Sequence, residues 1–103
     1  MAKGYWIGHV DVADPEGYKD YIRANADVFA KYGARFVVRG GQHVVKEGAS
    51  RARTVVIEFD DYATALACYE SGEYADVMAR RLPYSTADLL IVEGYDGAPP
   101  VVG

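Results

Sequence analysis

The sequence predicts an α+β domain with the order strand, helix, strand, strand, helix, strand, its four strands in one antiparallel sheet and its helices on one face. Three observations carry this. Arg53 to Phe59 contains the β-branched run Thr54-Val55-Val56-Ile57, which favours a strand. A helical pattern follows at once, with Tyr62, Ala65, Leu66 and Tyr69 recurring at i, i+3, i+4 and i+7, and Asp60 and Asp61 stand at the join to cap it. Upstream, Asp14-Pro15-Glu16 is a helix start placed directly after an extended stretch.

Gly4 to Val12 reads as the first strand, because alternation puts Tyr5, Ile7, His9 and Asp11 on one face and Trp6, Gly8, Val10 and Val12 on the other. Asp14 can accept from free backbone donors, Pro15 suits the first helical position, and Glu16 complements the positive end of the helix dipole. The helix runs to Tyr32 with a buried stripe of Tyr18, Ile22, Asn25, Phe29 and Tyr32, flanked by Tyr21 and Val28, and Gly33 supplies a left-handed C-terminal cap. Asn25 is the one polar member of that stripe.

Ala34 to Arg39 is the second strand, with Phe36 and Val38 opposed to Arg35, Val37 and Arg39. Gly40-Gly41 suggests a bulge or bend, Gln42 to Lys46 continues extended, and Glu47 to Ser50 turns back into the third strand. There Val55, Ile57 and Phe59 oppose Thr54, Val56 and Glu58. A helix from Asp61 to about Glu70 leads into a shorter one from Ser71 or Gly72 to Leu82, stopped by Pro83. Arg80 and Arg81 close that helix, where positive charge suits the dipole and a solvated cap is expected. Ala87 to Tyr95 is the last strand, with Leu90 and Val92 opposed to Leu89, Ile91, Glu93 and Tyr95. Residues 1–95 form one domain, and 96–103 read as an extended tail.

Half of the 103 residues are apolar and nine are Tyr, which is ample material for a core. A net charge of -4 argues against nucleic acid and against an anionic membrane surface as partners. The single cysteine, Cys68, excludes an internal disulfide, and no Cys/His spacing for a metal is present. No cofactor fingerprint occurs: Gly40-Gly41 lacks the lysine, serine or helix start of a phosphate loop. With no signal-peptide core and no apolar stretch of membrane-spanning length, the expected location is the cytoplasm.

Right-handed crossovers place the first and third strands in the middle, the fourth beside the first and the second beside the third. Sorting by parity gives one apolar set, Trp6, Val10, Val12, Phe36, Val38, Val55, Ile57, Phe59, Leu90 and Val92, expected beneath the helices. The opposite set mixes Ile7, Val37, Val56, Leu89 and Ile91 with Tyr5, His9, Arg35, Arg39, Glu58 and Glu93. Its apolar members need a cover, and a second copy of the sheet in a twofold homodimer supplies one.

Several segments together resemble the domain of unknown function 1330 family, within the dimeric α/β barrel, ferredoxin-like superfamily. They are Gly4-Tyr-Trp-Ile7, Val10-Asp-Val with Asp14-Pro-Glu and Tyr18, Lys31-Tyr-Gly-Ala-Arg-Phe36, Arg39-Gly-Gly41, Val56-Ile-Glu-Phe59, Tyr69 with Glu73-Tyr74, Arg80 or Arg81, and Ile91-Val-Glu-Gly-Tyr95. The resemblance spans nearly the whole chain and implies a ferredoxin-like homodimer with its sheets face to face. It implies no particular chemistry, because related barrels include cofactor-independent monooxygenases, isomerases and haem-degrading proteins.

Two polar clusters are expected on the inter-sheet face. In the first, His9 near Thr54 is the candidate catalytic acid or base, with Arg39 holding an anionic group. In the second, Glu58 and Glu93 lie with Arg35, Tyr5 and Tyr95, either as a carboxylate pair with one raised pKa or, structurally, as ion pairs of which Arg35 with Glu58 is the obvious one. The functional expectation is a small anionic or aromatic molecule in the inter-sheet cleft, with cofactor-independent acid/base chemistry. Its rival is a non-catalytic binding or interaction module whose barrel is filled by its own side chains.

Overall fold

The computed structural model describes residues 2–101. Its elements are β1 (Gly4–Val12), α1 (Pro15–Lys31), β2 (Arg35–Arg39), β3 (Arg53–Phe59), α2 (Tyr62–Glu70), α3 (Gly72–Met78) and β4 (Ser85–Glu93), with a 3-10 turn at Leu82–Tyr84. The sheet order is β2-β3-β1-β4, every pair antiparallel, which is the ferredoxin-like arrangement expected from the crossovers.

The helix starts are built as the sequence specifies. Asp14 Oδ1 accepts from the N–H groups of Glu16 and Gly17 at 3.1 and 3.3 Å, and Asp61 Oδ1 accepts from Thr64 N–H at 2.7 Å. Ser71, with φ -70° and ψ 148°, breaks the second helical segment: its hydroxyl donates to the Cys68 carbonyl and accepts from Tyr74 N–H. One residue thereby ends α2 and caps α3. The last helix is shorter than expected, stopping at Met78, because the chain tightens through Arg80 and Arg81 into the turn around Pro83. β4 begins at Ser85 rather than Ala87 and ends at Glu93, since Ser85 and Thr86 continue the ladder opposite Val12 and Asp11. From Gly40 to Ala52 there is no regular structure, so the extended segment expected at Gln42 to Lys46 does not form a strand.

The core lies between the sheet and the helices. Trp6 is its centre, with Nε1 donating to the Ala65 carbonyl at 2.8 Å and the rings of Tyr74, Phe29 and Tyr69 packed edge-on at 4.9, 5.3 and 5.6 Å. Such pairs each add about 0.5–1.5 kcal/mol beyond the area they bury.

Two parity expectations are corrected. In β4 the residues facing the helices are Ala87, Leu89 and Ile91, paired with Val10, Gly8 and Trp6, while Leu90 and Val92 lie on the open face. In β2 the register shifts at Val37: Phe36 pairs with Ile57, but Val38 pairs with Val56 and Arg39 with Val55. The extra residue is a bulge, three and four positions before the glycines expected to make it, and it reverses the facing of everything after it. Val38 therefore joins the open face, where Val38, Val56, Ile7 and Leu90 form one apolar row across all four strands.

Candidate functional site

Because side chains alternate, the sheet divides the expected site residues between two compartments. His9, Tyr5, Arg35 and Glu58 are on the open face. Arg39 is on the helix face, with its guanidinium 4.0 Å above the Phe36 ring, so it does not meet His9. Glu93 pairs with Gly4, on the parity opposite to Glu58, and is exposed, so the two carboxylates are not together. Tyr95 lies beyond the strand and donates to the Ala98 carbonyl.

The open-face residues are tied to one another. His9 Nδ1 is 3.2 Å from Thr54 Oγ1 and 3.3 Å from Ser50 Oγ. Arg35 Nε bonds Glu58 at 3.0 Å, its Nη2 lies 3.2 Å from Asp60, and Tyr5 donates to the other Glu58 oxygen at 3.0 Å. The Arg35 guanidinium, then the Tyr5 hydroxyl, hold the Glu58 carboxyl below the usual carboxylate range. At the other end Arg51 joins Asp11 and Asp88. This face is an apolar row closed at both ends by ion pairs.

The helix face holds something different. Between α1 and the sheet lies a chamber of about 70 Å³, and Val10, Tyr18, Ile22 and Arg53 also line a neighbouring open groove of about 430 Å³. Gly8, with no side chain, is part of the chamber's sheet wall. Three guanidiniums line the chamber, Arg39 from β2, Arg53 from β3 and Arg81 from the turn after α3, and among the described residues none of them is ion-paired. Arg81 is not the solvated cap expected from its place at a helix end: it is 9% exposed, with Nε 3.4 Å from the Tyr74 hydroxyl. Arg80, beside it, is the solvated one, paired with Asp20.

Two further polar side chains line the chamber, Asn25, 4% exposed, and Tyr18, 7% exposed; among the described residues no buried side-chain nitrogen or oxygen is left without a hydrogen bond. Burial pushes the Tyr18 phenol up, while the positive charges of Arg81, Arg53 and Arg39 oppose it, so all three cations act on this one hydroxyl. Tyr21 and Tyr74 join their hydroxyls at 2.9 Å, and burial drives the Tyr21 phenol far up as well. The lining contains no Asp, Glu, His or Cys. It offers cations and hydrogen-bond donors, and no anionic group or base. Among the described residues no cluster of His, Cys, Asp or Glu is arranged to hold a metal, and no helix is long and apolar enough to cross a membrane.

Arg39, expected beside His9 on the inter-sheet face, lies on the helix face instead, beside Arg53, Arg81, Tyr18, Tyr21 and Tyr74, which the sequence did not bring together. The signal available was Asn25, an amide in the middle of an apolar stripe.

Fold and site together define a ferredoxin-like α+β domain, the kind that builds dimeric α/β barrels, with an arginine-lined chamber between helix and sheet. The chain belongs to the family of the domain of unknown function DUF1330, whose sequence profile matches residues 3–95. No curated protein matches it. Among solved structures it is similar to a protein of unknown function from Rhodopseudomonas palustris, at 16% identity and TM-score 0.69 over 93% of this chain and 85% of the other. It is similar also to SnoaB, a cofactor-independent oxygenase from Streptomyces nogalater, at 11% identity and TM-score 0.60 over 97% of this chain and 100% of the other. A dimeric ferredoxin-like protein of unknown function from Thermobifida fusca matches at 15% identity and TM-score 0.57 over 89% of each chain. At these identities the likeness is one of fold.

Proposed function

We propose that this protein is a homodimeric small-molecule-binding protein that takes an anionic ligand into the helix-side chamber of each subunit. The observation that carries the reading is the set Arg39, Arg53 and Arg81, unpaired with any carboxylate among the described residues, around Tyr18 and Asn25. Of the three, Arg81 is buried, Arg53 half-buried and Arg39 exposed; a buried guanidinium without a counter-ion is costly, and a carboxylate matches its fork with paired hydrogen bonds. The aromatic walls and the apolar groove suit a ligand with an apolar or aromatic body.

In this reading the open sheet face serves the subunit contact and is filled by its own side chains. The row Val38, Val56, Ile7 and Leu90 is the apolar centre of a twofold interface, and the Arg35–Glu58 and Arg51–Asp88 pairs form its polar rim. The description of the Thermobifida fusca neighbour as dimeric supports this. His9 then belongs to the interface, on the other side of the sheet from Arg39, and acid/base chemistry by that pair is no part of the reading.

The test is calorimetric titration with benzoate, an aromatic carboxylate. Binding is expected, and Arg53→Met should weaken it by about ten- to a hundredfold, the value of one charge-assisted hydrogen bond. Absence of binding by any small carboxylate, or affinity unmoved by the substitution, would sink the ligand reading. Sedimentation equilibrium tests the assembly: Leu90→Asp should give monomers, and a wild-type monomer at micromolar concentration would remove the homodimer.

A further inference from the structure

We infer that the anion taken by this site is a slender aliphatic monocarboxylate of medium chain length, with its carboxylate in the chamber and its chain along the neighbouring groove. This rests on the anion-binding reading above and narrows it, because that reading leaves the shape of the ligand's body open.

Size decides first. The chamber holds about 70 Å³, about half of the roughly 150 Å³ needed by an apolar cavity that takes a benzene ring. It has room for a carboxylate and a few carbons, and a ring could enter only by moving its walls. The charged end belongs inside, because Arg39 and the buried Arg81 line the chamber and not the groove, while Arg53 lines both. Tyr18 suits such a head. Burial raises its phenol in spite of the three cations, so it keeps its proton and can donate it in a hydrogen bond to a ligand that arrives already ionised.

The walls decide the rest. Aromatic rings surround the chamber, Trp6, Tyr21, Phe29, Phe36 and Tyr74 besides Tyr18, whereas the groove has Tyr18 alone among Val10, Val12, Pro15, Ile22 and Ala52. Lys19 also lines the groove, but its ammonium is held 2.8 Å from Glu16, so what it adds there is an alkyl stem. The groove is an aliphatic surface. Val10, Tyr18, Ile22 and Arg53 line both spaces, and a molecule with its head in one and its body in the other lies across that shared border. Removal of apolar area from water is what such walls reward, and a methylene chain supplies it with no polar group to desolvate.

The probes are butanoate, hexanoate and octanoate, titrated calorimetrically into the protein, with 1-octanol as the neutral control. Affinity is expected to rise about two- to fourfold per added methylene, fourfold being the value of a fully buried CH₂. Octanol should bind about tenfold or more weakly than octanoate, since it offers the arginines no charge. Arg53→Met keeps an unbranched stem and should weaken all three acids by the same factor. Val12→Asp, in the groove wall and not in the chamber, should weaken octanoate more than butanoate. If butanoate and benzoate bind but affinity does not grow with chain length, the inference is overturned and the anion site stands. An equal loss for every acid in Val12→Asp would likewise overturn it, by placing the chain elsewhere. Octanol binding as tightly as octanoate, or no binding by any of the acids, would bring down the inference and the anion-binding reading together.

Discussion

Tyr74→Phe tests how the chamber wall is held. Its hydroxyl is shared between the Tyr21 hydroxyl at 2.9 Å and Arg81 Nε at 3.4 Å, and all three side chains are buried. Tyr21→Phe removes one neutral hydrogen bond and leaves Tyr74 still bonded to Arg81, a loss of about 1 kcal/mol. Tyr74→Phe removes both bonds at once and strands a buried phenol and a buried guanidinium N–H. A neutral bond is worth about 1 kcal/mol and one to a charged group about 1.5–3 kcal/mol. The length of the Arg81 contact puts it at the low end, so about 2–3 kcal/mol is expected in all. The assay is urea unfolding at fixed protein concentration, followed by fluorescence of the only tryptophan, Trp6, whose ring lies 4.9 Å from Tyr74. The ordering is the decisive result. If Tyr21→Phe costs as much as Tyr74→Phe, Arg81 gains nothing from the Tyr74 hydroxyl and the wall is not organised as described.

Three further predictions concern the frame around the chamber. Gly4→Ala would set a Cβ 2.4 Å from the Asp61 carbonyl oxygen and 2.7 Å from Tyr62 Cα, forcing β1 off the start of α2, so a loss of about 1–3 kcal/mol is expected; Gly8→Ala meets nothing closer than 3.5 Å and should leave the melting temperature unchanged. The Thr64 hydroxyl and N–H hold Asp61 low, the Ala52 N–H and then Arg51 hold Asp11 low, and Arg35 and then Tyr5 hold Glu58 low. Folded values below unfolded ones mean the stabilisation is complete above about pH 4 and is lost as pH falls through the folded values. Melting temperature against pH should therefore drop on the acid side, and a triple Asp11→Asn, Glu58→Gln, Asp61→Asn variant should lose most of that slope; an unchanged slope would refute the assignment. Cys68 is fully buried with its thiol pushed up to about 12 by burial, so a thiol reagent at neutral pH should label it only on unfolding, and fast labelling of the folded protein would contradict that packing.

The order of elements, the strand neighbours and both acidic helix caps were legible because each rests on local chemistry: β-branched runs, an Asp-Pro-Glu start, a glycine after a helix. Facing was legible only where polar and apolar residues alternate, as in β1. In β4 the run Leu89-Leu90-Ile91-Val92 is apolar at both parities, and only Asp88, which looks out toward Arg51 beside His9, marks Leu90 as an outward position. In β2 the run Phe36-Val37-Val38 conceals an extra residue for the same reason. The chamber was hidden more deeply. Arg81 follows a helix and reads as a solvated end charge, and its burial depends on the turn at Leu82–Tyr84 folding it inward under α1. Arg53 reads as the first residue of a strand, and nothing local says that the strand's helix side opens into space there.

The bulge at Val37 has a meaning larger than its size. A sheet with an apolar row on one side and a chamber on the other is a partition, and each strand position is an address on one side or the other. Val37 acts as a one-residue frameshift in that addressing: ahead of it Arg35 lies on the open face, paired with Glu58, and behind it Arg39 lines the chamber. Deleting the residue would leave Arg39 opposite Val55 on the helix face, whereas drawing Val37 into the ladder would carry the Arg39 charge across the sheet into the apolar row. The facing of the second half of β2 therefore depends on Val37 staying out of the ladder.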